Sequence, residues 1–257
     1  MWSVYEVPFE YLAHTVTVPV TVNGVETTFI VDSGIGCTVV RDTFPGCLPL
    51  DKSFTGKRMS GQALEVPLAT AQSIRFGDEE RHDELVGRWD MSGFPAALDH
   101  IGGFLSLPFF GETTLTVDYP GRVVRVGARP EGTAILCRPH REGPAVTFLM
   151  PLALPDGREI EVEVDMGSDC LILDDRFREL GAAEERRVDG KDESGHAYTR
   201  RFTTLPGRIH PAGAPHLAQD DPDVMFQSII YDGLVGEQFL RRFVVTFGVA
   251  ASTLSVA

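Results

Sequence analysis

The chain has 257 residues, 43% of them apolar, enough for a real core and for one or two domains. With 37 acidic against 23 basic side chains the formal charge is −14, and without clustered Lys and Arg to release counterions no nucleic-acid partner is expected. The start, Met1-Trp2-Ser3-Val4-Tyr5-Glu6-Val7-Pro8, lacks the basic and apolar regions of an export signal, and no apolar run is long enough to span a bilayer, so a soluble, cytoplasmic protein with no membrane partner is expected.

In chain order, strand signals dominate: short β-branched or aromatic runs cut by Gly, Pro and Asp turns. Val16 to Val22 runs into Asn23-Gly24, the signature of a type I′ hairpin, and Thr27 to Val31 returns to Asp32. Leu115 to Tyr119 and Arg122 to Val126 read as strands, and a Pro/Gly/Arg-rich connector over 131–147 follows. This divides the chain into an N-terminal lobe, 1–130, carrying Asp32, and a C-terminal lobe, 148–257, carrying Asp165. The second lobe repeats the plan: Leu149 to Leu154, a turn at Asp156-Gly157, then Glu159-Ile160-Glu161-Val162-Glu163-Val164, whose alternation predicts a strand with one wet face. Pro211 to Pro222 reads as a surface loop, Phe239 to Phe243 as a short helix with Arg241 and Arg242 solvated, and Val244 to Phe247 and Thr253 to Val256 as closing strands.

The two lobes are copies. Ile30-Val31-Asp32-Ser33-Gly34 lines up with Glu163-Val164-Asp165-Met166-Gly167 at an offset of 165 − 32 = 133. The same offset pairs Gly24 with Gly157, Cys37 with Cys170, Phe44 with Phe177, Asp99 with Asp232, Gly103 with Gly236, Leu107 with Leu240 and Phe110 with Phe243. Cys37 and Cys170, beside apolar runs, are expected to be buried thiols, and a Cys37–Cys47 pair is left open. Three lysines and a single asparagine, Asn23, among so many arginines suggest a GC-rich bacterial source.

Two acids at equivalent strand-to-turn junctions suit a reaction that needs paired carboxyls. Within about 3 Å two carboxyls cannot both ionise, so the pair holds one proton across a wide pH range. The ionised member then takes a proton from a water while the protonated one polarises a carbonyl, with no metal and no cofactor.

Over residues 15 to 126 and 148 to 256 the chain resembles the retropepsin and pepsin group of aspartic peptidases, in which an apolar strand delivers Asp-Thr/Ser-Gly and a later apolar-apolar-Gly segment packs behind it. Val31-Asp32-Ser33-Gly34 and Leu234-Val235-Gly236 carry the likeness. The resemblance implies an all-β, two-lobed double-ψ β-barrel architecture in a single chain. It also implies Asp32 and Asp165 as the catalytic dyad, with amides of Gly34 and Gly167 on the carboxylates and Ser33 bonding across the lobe interface. Met166 breaks the pattern opposite Ser33, and Ile101-Gly102-Gly103 carries Gly102 where an apolar residue is usual. After each Gly a hydroxyl is usual; Ser168 keeps it and Ile35 does not. Asp165 thereby gains a donor that Asp32 lacks, and Asp32 is expected to hold the shared proton.

Substrate cover in this group comes from a hairpin after each Asp. Met59-Ser60-Gly61-Gln62-Ala63 and Glu193-Ser194-Gly195-His196-Ala197 share Ser-Gly-x-Ala at an offset of 194 − 60 = 134, giving candidate tips at Met59, Ser60, Gly61, Ser194, Gly195 and His196. Gly34-x-Gly36 lacks the third glycine of a dinucleotide loop, no His-Glu-x-x-His suggests zinc, and no Gly-x-Ser-x-Gly elbow suggests a serine hydrolase. The other histidines are read as surface or loop residues. The chain is therefore expected to be a monomeric aspartic endopeptidase acting on a peptide or protein substrate. The alternatives are a catalytically silent pepsin-like module that clasps a peptide, and an interaction domain whose acidic surface recruits basic partners.

Overall fold

A computed structural model describes residues 4–94, 96–191 and 197–257. The chain is mostly β, and among the described residues its strands form three sheets. Local chemistry sets the first hairpin: Asn23 (φ 50°) and Gly24 (φ 81°) both take the left-handed backbone that a type I′ turn demands, closing Thr15–Val22 onto Val25–Val31.

The repeat is structural. In the first half eight strands run in the order Glu10–Leu12, Thr15–Val22, Val25–Val31, Ile101–Leu105, Val39–Arg41, Glu79–Trp89, Ala63–Phe76, Cys47–Lys57. In the second half, Arg138–Glu142, Ala145–Ala153, Glu159–Val164, Gly233–Val235, Leu171–Asp174, Asp223–Gln227, Ala197–Thr204 and Arg186–Lys191 pair in the same succession. The senses match as well. The strand that ends at each Asp lies parallel to the late Gly-containing strand, which in turn lies antiparallel to the strand that leaves the acid-bearing turn.

Both halves contribute to the third sheet, ordered Tyr5–Pro8, Val123–Val126, Thr114–Asp118, Val244–Gly248, Thr253–Val256, Thr133–Ile135. Its centre is the pair Thr116 and Thr246, opposite in register, both buried, with hydroxyls 2.9 Å apart. One apolar cluster runs through the molecule and includes Val31, Leu105, Phe148, Val164, Met166, Val235 and Phe247. No helix among the described residues is long and apolar enough to cross a membrane.

Several sequence expectations change. The late segments align at 233 − 103 = 130, not 133, because Val40 pairs with Gly103 and Leu173 with Gly233, while Val31 pairs with Leu105 and Val164 with Val235. Gly103 therefore answers Gly233, the pairings of Gly103, Leu107 and Phe110 with Gly236, Leu240 and Phe243 are out of register by three, and that of Asp99 with Asp232, upstream of a bulge at Gly102, does not hold either. Phe104-Leu105-Ser106 then matches Leu234-Val235-Gly236, so the apolar pair is intact and the departure is Ser106, whose hydroxyl meets that of Thr38 at 3.0 Å.

The helix spans Glu237–Leu240, and Arg242 is not merely solvated: it stacks over Phe239 and Phe243 and donates to Ala218 O. Within 211–222, the turn Pro215–Leu217 buries Leu217, and Gln219–Asp220 is a short strand, so the segment is not all surface loop. The 131–147 stretch is largely strand. The strand Glu159–Val164 has no wholly wet face, because Glu163 is 5% exposed. All four cysteines are free, with Cys37 and Cys170 buried.

The Thr116–Thr246 pair yields a test. Thr116→Val alone strands a buried hydroxyl and should cost about 1–3 kcal/mol in denaturant unfolding, whereas Thr116→Val with Thr246→Val should recover most of that loss.

Candidate active site

Each acid sits where a buried strand leaves its sheet. Asp32 N donates to Leu105 O at 2.9 Å and Asp165 N to Val235 O at 3.0 Å, so the late strand of each half fixes the point at which the chain turns. The loop then folds back on its own carboxyl: Gly34 N donates to Asp32 Oδ1 at 2.7 Å and Gly167 N to Asp165 Oδ1 at 2.8 Å.

The two loops meet face to face. A Cβ built on Gly34 would lie 2.5 Å from Asp165 Oδ1, and one on Gly167 would lie 2.5 Å from Asp32 Oδ2. Only glycine admits that approach. The two carboxyls come within hydrogen-bonding reach of one another, a contact that requires a proton on one of them. Burial first, and the adjoining Asp165 carboxylate second, push Asp32 up to about 8, against the pull of the Gly34 and Ile35 amides. That is the direction expected of the member without a hydroxyl donor. Asp165 has one: Ser168 Oγ donates to Oδ2 at 2.7 Å.

Beneath the acids Ser33, fully buried, crosses to the other half. Its Oγ donates to Val164 O at 2.7 Å and accepts from Met166 N at 3.0 Å. Met166, at the equivalent place, is buried in the common core and offers no hydroxyl. Two further contacts brace the loops from the opposite half: His14 Nε2 lies 3.0 Å from Gly167 O, and Val146 N donates to Gly36 O at 3.2 Å. His14 sits in a turn, as expected of a loop histidine, yet its ring reaches across to the other half. Nothing in the spacing of histidines points to it, since the contact spans 153 residues.

The long hairpin of the first half, Cys47–Lys57 with Ala63–Phe76, reaches over both halves. Phe54 and Val66 pack on the first-half cluster of Ile30, Val39, Met91, Ile101 and Phe104, while Met59 packs on the second-half cluster of Cys170, Ile172, Met225 and Leu234. Met59 O accepts from Ile230 N at 2.9 Å, and Ser60 and Gly61 stay exposed at the tip. In the second half Lys191 pairs with Ala197 as Lys57 does with Ala63, so the hairpins close at matching points. Ser194, Gly195 and His196 lie outside the described residues. Glu163, two residues before Asp165, is not among the residues that the motifs single out, although the contrast with Ile30 at the equivalent position marks it.

No family model matches the chain, and no curated protein matches it in sequence.

Two outcomes are expected. Ser33→Ala leaves Val164 O and Met166 N without their shared partner and should cost about 1–3 kcal/mol in denaturant unfolding. Because Asp32 is raised from 3.8 to about 8, its proton stabilises the folded chain fully below the unfolded value, and that contribution is lost as pH rises through about 8. The melting temperature of the parent chain relative to Asp32→Asn should therefore fall by several degrees, on the order of 2–4 °C per kcal/mol, between pH 4 and pH 8.

Proposed function

We propose that the chain is an aspartic endopeptidase, a single-chain relative of the pepsin and retropepsin group, with each half a double-ψ barrel and the pair acting as two lobes. The observation that carries this is the reciprocal seating of each carboxyl against the other loop's glycine at the junction of two equivalent sheets. Such a pair keeps one proton and one charge over a wide pH range. A water lodged between the acids loses its proton to the ionised carboxyl. The protonated carboxyl donates to the peptide carbonyl and later supports protonation of the leaving nitrogen. Asp32, raised by burial, is the proton-bearing member at rest, and Asp165, bonded by Ser168, is the base.

The hairpin carrying Met59, Ser60 and Gly61 fits a lid under which an extended peptide lies as an added strand. A peptide or protein is thus the substrate, no cofactor or metal is invoked, and one chain supplies both acids. Ile35, which gives Asp32 no hydroxyl, favours a second reading in which the same cleft clasps a peptide without cutting it.

The test is cleavage of a denatured-protein peptide library by the full chain, Asp32→Asn and Asp165→Asn. Loss of about 10³-fold or more in kcat/KM with either change is expected, together with binding of a statine-type mimic by the parent chain. Peptides bound equally by all three proteins and cut by none would establish the clasp instead. Above pH about 8 the dyad gives up its remaining proton, so kcat/KM should fall about tenfold per pH unit there.

A further inference from the structure

The duplication is broken at the position two residues before each acid. Ile30 precedes Asp32, and Glu163 precedes Asp165. Side chains alternate along a strand, so Glu163 leaves its strand on the face of Asp165, while Val162 and Val164 face the core. Its in-register neighbours, Leu149 and Leu234, share that face. Leu234 belongs to the apolar cluster on which the hairpin residue Met59 packs, so this face lies beneath the proposed lid.

Glu163 is 5% exposed, and no ion pair to it is formed among the described residues. The next acid outward on the strand behaves otherwise: Glu161 receives Arg138 Nε at 2.7 Å. Beside Glu163 stand Thr147, whose buried hydroxyl forms no hydrogen bond among the described residues, and the acids Asp165 and Asp32. Tyr231, half-buried, lies near enough to feel its charge. Burial first, and the neighbouring acids after it, raise the Glu163 carboxyl well above the usual carboxylate range, which favours its neutral form. A purely structural residue here would be aliphatic, as Ile30 is in the first half, because a buried carboxyl without a cation stabilises nothing. A cationic side chain brought beneath the lid is the complement this site lacks, and a chain of net charge −14 attracts cationic peptides.

We propose that Glu163 is a specificity-determining residue: it lines a subsite on the second-half side of the dyad and receives a lysine or arginine side chain of the substrate near the cleaved bond. This rests on the peptidase reading. On binding, the ammonium or guanidinium stays protonated, the Glu163 proton passes to solvent, and the new carboxylate pairs with the cation while Thr147 donates to it.

The experiment uses the full chain, first with the peptide library to find cut sites lost in Asp32→Asn, then with synthetic peptides differing only in lysine or norleucine at the residues flanking the cut. The parent chain should favour lysine by about 30-fold or more in kcat/KM, Glu163→Gln should erase that preference, and Glu163→Ile should reverse it. Cleavage without a basic preference, or a preference unchanged in both variants, overturns the role of Glu163 and leaves the peptidase reading standing. If nothing is cut, the peptidase reading falls, and binding decides for Glu163. Anisotropy of labelled lysine and norleucine peptides should then show lysine affinity about 30-fold weaker in Glu163→Gln, and equal affinity overturns the inference. Glu163→Gln keeps the side-chain shape, which guards against a variant that fails to fold.

Discussion

Two carboxyls pressed together in a half-buried junction cannot both be charged, and most of this molecule can be understood as the apparatus that forces them into that position. Coulomb repulsion and desolvation would drive Asp32 and Asp165 apart unless one proton is retained and the backbone is held rigidly. Rigidity comes from layers. Sheet carbonyls of Leu105 and Val235 hold the aspartate amides, the glycine amides hold the carboxyls, and Ser33 ties the second loop to the first. Beneath them the shared sheet joins Thr114–Asp118 to Val244–Gly248, so the halves cannot drift without breaking a continuous ladder. The apparent cost of burying two acids is thus met by backbone donors already committed by the fold, and not by basic side chains.

How much of this was legible in the sequence follows from which constraints leave residue-level marks. The acid loops were visible because they demand particular residues: a carboxyl, then a glycine where any Cβ would strike the opposite acid. The tip at Met59, Ser60 and Gly61 was visible because tight turns also select glycine, here at φ 82°, and the offset of 134 recurs in the strand pairs Lys57–Ala63 and Lys191–Ala197. The late strands were misaligned by three because Gly, Leu and Phe recur often there, and identity at a few such positions is weak where only apolar character is required. The structural register, Leu105 with Val235, rests on hydrogen bonds that leave no trace in side-chain identity.

Long-range contacts were illegible for the same reason. The reach of His14 to Gly167 O depends on the packing of two halves, and no local pattern encodes it. Glu163 was hidden by a correct rule applied one residue too far. Alternating Glu and apolar residues do mark a strand with distinct faces, but whether the outward face meets water or a lid is a tertiary fact. Glu159 and Glu161 meet solvent or Arg138; Glu163 lies where the strand passes beneath the hairpin side.

The asymmetries share one origin. A symmetric dimer must place the same residue on both sides of its axis, so any change at one acid is made at the other. A duplicated single chain is released from that rule, and here the release was used at three positions around the acids: Ile30 against Glu163, Ser33 against Met166, Ile35 against Ser168. Ser33 bonds both Val164 O and Met166 N, so one hydroxyl bridges to two groups of the other half and Met166 is free to fill the core. Ser168 bonds one acid alone, so the carboxyls differ in their donors before anything binds. Once the acids are unequal, the direction in which a polar substrate would lie across them under the proposed function is no longer arbitrary. A buried carboxyl present in only one half, as that of Glu163 is, would then have a defined side of the dyad on which to act.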